Sequence, residues 1–164
     1  AVLGYPQTKV LKERGEGIKQ GLEETASGKY EIVAEQPALE PNEAQTVMET
    51  ILQKSPDCRV VTGIGAGPMI GANEALVIQT GGTIPEDMGV FTTDVTKQQL
   101  EQLLDDNAAS KGIIGFEGSD VDTANACAAM YALILGEQLE AQNVFRQVAP
   151  ITAENAAEIM AEMK

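Results

Sequence analysis

The chain has 164 residues, of which 43% are hydrophobic and 22% are charged, as expected for a single folded domain rather than a disordered chain. Eleven basic residues stand against 25 acidic ones, and the resulting formal charge of -14 would repel nucleic-acid phosphates and anionic membrane surfaces. We therefore expect no nucleic-acid partner and a neutral or cationic ligand.

Short apolar runs alternate with longer amphipathic segments along the whole chain. This alternation is typical of βα units that build a parallel sheet, so we predict an α/β fold. Each predicted strand is followed by a predicted helix. The predicted strands are AVLG (1–4), YEIVAE (30–35), RVVTGIG (59–65), MGVFTT (88–93), KGIIGFE (111–117) and NVFRQVA (143–149).

Residues typical of helix ends support these boundaries. Asn42 with Gln45, and Thr96 with Gln99, approximate capping boxes at the starts of two helices. Glycines fall where helices should stop and would supply the left-handed residue of a C-terminal cap. These glycines are Gly28, Gly81, Gly82 and Gly136.

Ligands of open parallel sheets bind beyond the carboxyl ends of the strands, where loops converge. Arg14 lies one or two turns into the first predicted helix, so its side chain could reach back over this rim. The alternative is a solvated surface arginine paired with Glu13 or Glu16. The loops that this rule selects are 5–9, 36–41, 66–69, 94–96 and 118–120.

The glycine-rich segment GIGAGPMIGA (63–72) follows a strand and opens a helix, as phosphate-binding loops do. Its glycines at 63, 65 and 67 have the wrong spacing for a dinucleotide-binding loop, and no P-loop lysine follows. We favour the alternative that these glycines allow a close approach between backbones or to a small ligand.

Two carboxylates follow neighbouring predicted strands. Asp94 ends the fourth strand and could accept hydrogen bonds from two ligand hydroxyls. Its alternative role is a helix N-cap, for which Thr96 competes. Glu117, beyond the fifth strand, could also face a ligand.

The residues that catalysis most often uses are missing. There is no histidine, and Cys58 and Cys127 lie away from the predicted rim and match no metal-ligand spacing. Acid–base work by Asp94 with Glu117 is the remaining catalytic option. We predict no enzyme activity, no metal and no cofactor, and we expect free thiols rather than a disulfide.

The printed sequence also carries no recognisable membrane or export signal. No run of about 18 or more apolar residues occurs. The opening AVLGYPQ lacks the basic and apolar regions of a signal peptide. The sequence by itself therefore predicts neither a membrane span nor a signal peptide.

Several segments in this order resemble one known family. They are KERGEGIKQGLEE, AEQPA, SPDCRVVTGIG followed by GANEAL, TIPEDMGVFTTD and VAPITAENAAE. Together they look like the second half of a type I periplasmic sugar-binding protein of the ribose-binding kind. The resemblance covers essentially the whole chain, and its most specific parts are the R-G-E-G segment and the Asp-terminated fourth strand.

The resemblance implies a three-layer, doubly wound, flavodoxin-like lobe. Residues 1–117 would be the carboxy-terminal ligand-binding lobe, and 118–164 a hinge-crossing segment that packs on an amino-terminal lobe. The implied function is that of a solute-binding component of an ABC importer, which binds a sugar or polyol and delivers it to a membrane permease. The implied location is periplasmic or extracellular, with a lipid anchor left open.

The resemblance also assigns roles to individual residues. Arg14 matches the arginine that donates hydrogen bonds to sugar oxygens, and Asp94 matches the sugar-binding aspartate. The family's aromatic contact after the second strand falls at Leu39 or at Glu40.

Other positions depart from the family pattern. Gly65 and Ala66 replace an Asn-Asp pair that binds sugar in many members, and Phe116 or Glu117 stands where a glutamine is expected. Stacking on a sugar ring falls to Phe116, to Tyr5 or to the other lobe. These departures favour a larger, deoxygenated or partly apolar ligand over ribose.

The predicted fold is also compatible with other functions. The effector-binding core of a sugar-responsive transcription regulator shares this fold and is the second candidate function; a small-molecule enzyme on a flavodoxin-like sheet is the third.

In an isolated lobe, the helix near 119–135 would lack a partner and would fold back or exchange with a second copy, giving a dimer. Its apolar face comprises Val121, Ala124, Ala128, Tyr131 and Leu135.

Overall fold

The structure, a computed structural model, describes residues 1–116, 120–138 and 147–163. Strands and helices alternate along these residues, as the sequence predicts. The strands are β1 (Val2–Gly4), β2 (Glu35–Pro37), β3 (Val60–Gly63), β4 (Gly89–Thr93), β5 (Ser110–Phe116) and β6 (Val148–Ile151). The helices are α1 (Lys9–Ala26), α2 (Pro41–Lys54), α3 (Ala66–Thr80), α4 (Lys97–Leu103), α5 (Asp120–Ile134) and α6 (Ala153–Glu162).

The described strands form one sheet with the order β2-β1-β3-β4-β5-β6. Neighbours from β2 through β5 are parallel. The chain moves outward from β1 to β2 and then in the opposite direction from β2 to β5. Because parallel crossovers are right-handed, α1 lies on one face of the sheet and α2, α3 and α4 lie on the other. The predicted three-layer, doubly wound α/β fold is confirmed.

The main core lies between the sheet and the helices α2, α3 and α4. It consists of apolar strand and helix residues that are almost fully buried. The apolar positions of the predicted strands and amphipathic helices therefore meet here. The largest of them are Leu3, Val61, Val90 and Ile113 from the strands and Met48, Met69, Leu76 and Leu100 from the helices.

The second predicted strand differs from the observed one. The prediction of 30–35 is wrong for its first five residues, because β2 begins at Glu35 and pairs only with the three residues of β1. The predicted sixth strand, 143–149, overlaps β6 only at its end. Its first four residues, 143–146, lie outside the described part of the chain.

The helix-end predictions have mixed outcomes. Thr96 and Gln99 form the predicted capping box. The box predicted at Asn42 is wrong, because α2 starts with Pro41 at its first position after a Glu40 cap that makes no side-chain hydrogen bond. The four predicted helix-stop glycines all have positive φ angles, between 63° and 83°.

The glycine-rich segment allows close packing of the helices, as predicted. A β-carbon on Gly67 would collide with the carbonyl oxygen of Leu39, and one on Gly71 would collide with the carbonyl oxygen of Pro41. These two glycines let α3 lie directly against the start of α2. The segment therefore has a packing role that does not require a phosphate ligand.

The chain divides into two compact units, residues 1–114 with 150–164, and residues 115–149. In the first unit, α6 packs against α4, and Ala156 is fully buried. The second unit contains α5, on which Met130, Tyr131 and Ile134 are 62–79% exposed. The predicted division at residue 117 and the predicted role of 118–164 remain predictions.

Both cysteines are free in the structure; Cys58 is buried and Cys127 is exposed. Among the residues that the structure describes, no helix is long and apolar enough to cross a membrane. The same residues contain no group of histidine, cysteine and carboxylate side chains that could hold a metal ion.

Candidate ligand-binding site

Three elements meet at the carboxyl ends of the central strands. The loop after β3 carries Ile64 and Gly65, and the loop after β4 carries Asp94. Arg14 reaches the same place from the second turn of α1, where the neighbouring Gly15 is buried and lies next to Ile64. The small glycine lets α1 lie close to the sheet, so the arginine side chain extends over the rim.

Arg14 is held by three hydrogen bonds from its Nη1 atom. Nη1 lies 2.8 Å from Oδ1 of Asp94, 3.1 Å from the carbonyl oxygen of Ile64 and 3.3 Å from Oγ1 of Thr93. The alternative of a solvated arginine paired with its helix neighbours is wrong. Glu13 and Glu16 instead face lysines, Lys9 and Lys12, one turn earlier on α1.

Asp94 has an unusual backbone. Its φ angle is 71°, and it is the only non-glycine residue in the described part of the chain with a positive φ. Aspartate tolerates this left-handed region better than most residues, yet the conformation carries a cost that the surrounding contacts must offset. The alternative role as a helix cap is wrong, because Thr96 caps α4.

Gln99 supports the loop that carries Asp94 by hydrogen bonds to residues on both sides of it, a role that was not predicted from the sequence. Its side chain is fully buried. Nε2 donates to Oγ1 of Thr92 at 3.2 Å and to the carbonyl oxygen of Thr93 at 3.0 Å, while Oε1 accepts from the Thr96 N–H at 3.0 Å. The capping box was visible in the sequence, and its position directly after Asp94 was the signal for this supporting role.

The pair leaves hydrogen-bonding capacity for a ligand. A guanidinium has five N–H donors, and within the described residues only those on Nη1 of Arg14 are engaged. Oδ2 of Asp94 likewise has no hydrogen bond to a described residue. The side chains are 28% and 40% exposed, so both remain accessible. The two charges cancel locally, which suits a neutral polyhydroxyl ligand in a chain of charge -14.

Gly65 lies directly against this pair. A β-carbon at Gly65 would lie 3.1 Å from Oδ2 of Asp94, so the glycine keeps the free carboxylate oxygen uncovered. Ala66 is the first residue of α3 and is partly buried. Leu39 lies nearby, with its carbonyl oxygen against Gly67 and its N–H donated to Glu43 at 2.9 Å.

The remaining predicted site residues are Tyr5, Phe116 and Glu117. Tyr5 lines a separate hollow of about 120 Å³ between the end of β1 and α1, beside the ion pair of Lys19 and Glu35. Phe116 ends β5, is 48% exposed and belongs to the second unit. Glu117 lies outside the described residues. The fold thus brings together Arg14, Asp94 and Gly65, with Ala66 and Leu39 at the adjoining start of α3.

Comparison with known proteins shows the family to which the chain belongs. The sequence model of the family described as periplasmic binding protein domain matches residues 1–138. The chain therefore belongs to the periplasmic binding protein family. No curated protein sequence gives a significant match.

Solved structures share the fold at low sequence identity. The myo-inositol binding protein of Caulobacter, bound to myo-inositol, has a TM-score of 0.79 and 22% identity, with 99% of this chain and 54% of that chain covered. A carbohydrate transporter solute-binding protein from Agrobacterium radiobacter, in complex with D-arabinose, has a TM-score of 0.77 and 19% identity, with coverage of 99% and 54%.

A third similar structure is the 5-methylthioribose transporter solute-binding protein from Thermotoga lettingae in complex with 5-methylthioribose. Its TM-score is 0.76 at 20% identity, with 96% of this chain and 48% of that chain covered. The chain thus spans about half the length of these three structures.

Proposed function

We propose that this chain is one ligand-binding lobe of a solute receptor for an ABC importer, and that the ligand is a sugar or a polyol. The observation that carries the proposal is the Arg14–Asp94 pair at the sheet rim of a periplasmic binding protein fold. Three similar structures were solved with myo-inositol, D-arabinose or 5-methylthioribose, which supports transport over the alternative of a transcription regulator. The role is binding without catalysis.

The pair suits two adjacent hydroxyl groups. One ligand hydroxyl donates to Oδ2 of Asp94, and an oxygen of its neighbour accepts from the free N–H groups of Arg14. Gly65 and Ala66 add no polar side chain, so this lobe contacts few ligand oxygens. A ligand with a deoxygenated or apolar end fits this combination better than a fully hydroxylated pyranose does.

The remaining contacts of the site are proposals of the same kind. Leu39 lines the apolar side, and Tyr5, Phe116 and Glu117 complete the site when the ligand is enclosed. The lobe that pairs with this one supplies the remaining polar and aromatic groups. The half-length match to the similar structures supports such a second lobe.

We propose that the ligand is captured by a shift in the equilibrium between open and closed arrangements of the two lobes. A ligand that touches both lobes stabilises the closed arrangement, because only closure allows both sets of contacts, and the membrane permease recognises the closed surface. The periplasmic binding protein family supports a location in the periplasm or outside the cell. A lipid anchor of the whole receptor is a further option.

The segment 118–164 is proposed to cross the hinge, with α5 packing on the second lobe. A helix that is apolar on most sides needs cover, and α5 has exposed Met130, Tyr131 and Ile134. In the absence of a second lobe, we propose exchange of α5 between two copies. Sedimentation of the 164-residue chain as a monomer, together with slow amide exchange in α5, would contradict the exchange.

The function is tested first by the reading frame that precedes Ala1. An export signal followed by a second series of βα repeats supports the solute receptor. A helix-turn-helix would overturn it in favour of the regulator, in which the same pair would bind an inducer.

The site is tested by calorimetric titration of the two-lobe protein with D-arabinose, myo-inositol and 5-methylthioribose. Arg14→Met should lower the affinity for the best of these ligands about tenfold to hundredfold, because a charged donor to buried ligand oxygens is lost. Arg59→Met is the matched control, since Arg59 forms an exposed pair with Asp87 elsewhere. Equal affinities in both variants would exclude Arg14 from the site. The 164-residue chain alone should bind more weakly than micromolar.

A further inference from the structure

A second hollow lies at the opposite end of the sheet from Arg14 and Asp94. It has a volume of about 350 Å³ and lies between residues 33–36, which lead into and begin β2, and the later turns of α2. A helix between parallel strands runs antiparallel to them, so the end of α2 lies at the amino ends of the strands. This hollow is therefore separate from the candidate site at the rim.

The lining of the hollow is apolar on one side and polar on the other. Val33, Ala34, Val47 and Ile51 provide its apolar surface. The Thr46 and Thr50 hydroxyls donate to carbonyl oxygens one helical turn earlier, at 2.9 and 3.0 Å, so they present only acceptor lone pairs. Volume and mixed lining are those of a small-molecule site.

Lys54 provides the only cationic group among the lining residues. Its ammonium makes no hydrogen bond or ion pair with any residue that the structure describes, whereas Lys19 on the other face of the sheet is paired with Glu35. Lys54 lies in the last turn of α2 and keeps its three donors for a ligand. An unpaired cation beside an apolar surface is complementary to a molecule with a hydrocarbon part and one negative group.

The neighbouring edge strand is poorly suited to bind a peptide strand instead. β2 has three residues, and Pro37 has no N–H to donate to a further strand. Glu35 adds a charge to the same edge. Short length, proline and charge are the features that prevent pairing of sheet edges, which favours a small molecule over a peptide.

We propose that this hollow binds a short aliphatic monocarboxylate. The hydrocarbon chain lies on Ala34, Val47 and Ile51, and the carboxylate accepts hydrogen bonds from Lys54 and from the hydroxyl of Ser55. This site is independent of the sugar or polyol site, and it would exist whether or not the proposed import function holds.

The experiment is an NMR titration of the ¹⁵N-labelled 164-residue chain at physiological ionic strength, where the repulsion of an anion by distant acidic residues is screened. The probes are hexanoate, octanoate and the neutral 1-octanol. Octanoate should shift the amides of residues 33–36 and 46–55 saturably. It should bind about fifteenfold more tightly than hexanoate, because it has two more methylene groups and each buried methylene contributes about fourfold.

Two lysine variants test the charge. Lys54→Met keeps the length of the stem and should weaken the binding of octanoate about twofold to fivefold, while the binding of 1-octanol stays unchanged. Lys29→Met, at an exposed lysine that also makes no ion pair with a described residue, should change neither. Thr50→Phe should fill the hollow and weaken both probes.

Three results would overturn the proposal. The first is the absence of saturable shifts up to about 10 mM octanoate, which corresponds to no meaningful affinity. The second is equal weakening of octanoate by Lys54→Met and Lys29→Met. The third is a set of shifts centred on the exposed apolar residues of α5, which would indicate general adsorption of the hydrocarbon chain.

Discussion

Nη1 of Arg14 lies 2.8 Å from Oδ1 of Asp94, although the two residues are 80 positions apart in the sequence. The same atom also donates to the carbonyl oxygen of Ile64 and to Oγ1 of Thr93, so contacts within the protein fix the orientation of the arginine. Preorganisation of this kind lowers the conformational entropy that binding must overcome. The arrangement depends on two loops, after β3 and after β4, that the sheet brings side by side.

The coupling between these two charges is measurable. A double-mutant cycle with Arg14→Met and Asp94→Asn should give a coupling energy of about 1 kcal/mol or less, because the pair is partly exposed to water. The measurement is urea unfolding at low and at high salt, and high salt should reduce the coupling. A coupling that salt leaves unchanged would indicate neutral hydrogen bonding rather than charge attraction.

Gln99 should be more important for stability than its polar side chain suggests. Gln99→Ala removes a fully buried amide and leaves Thr92 and the Thr93 carbonyl without a donor, so the free energy of unfolding should fall by about 3 kcal/mol.

The exposed neighbour Gln98 provides the control, and Gln98→Ala should change the unfolding free energy by less than about 0.5 kcal/mol. Chemical denaturation of both variants measures the difference. Similar values for the two variants would show that the Gln99 network contributes little.

Two helical glycines should respond to alanine with opposite signs. Gly67→Ala should destabilise the fold by about 1–3 kcal/mol, because the new methyl group meets the Leu39 carbonyl oxygen. Gly17→Ala should stabilise it by up to about 1 kcal/mol, since nothing lies near the new methyl group and alanine favours a helix. Thermal unfolding of both variants is the test, and a stabilising Gly67→Ala would contradict the close contact between α2 and α3.

The two thiols should react at different rates. Cys127 is exposed and should be labelled rapidly by a thiol reagent such as Ellman's reagent, whereas the buried Cys58 should react only when the protein unfolds. Peptide mapping after brief labelling should therefore find the label on Cys127. Rapid labelling of Cys58 would show that the packing between α2 and β3 opens readily under native conditions.

Several features could be read from residues close together in the sequence. The alternation of apolar runs and amphipathic segments was enough to predict the α/β class, and a capping box needs only residues three apart, as Thr96 and Gln99 show. The start of β2 was predicted wrongly because strand length depends on the partner. Residues 30–34 have strand-like composition, but β1 has only three residues, and on this side it pairs with Glu35–Pro37 alone.

The sequence by itself determined the order of strands and helices and the presence of an arginine and an aspartate at positions typical of a ligand rim, because periodicity and residue type are local properties. Only the tertiary structure decided that Arg14 pairs with Asp94 rather than with Glu13, that Gly65 uncovers the second carboxylate oxygen, and that Lys54 lies unpaired beside a hollow. Each of these depends on the distance between side chains from separate elements, which is set by sheet order and close packing.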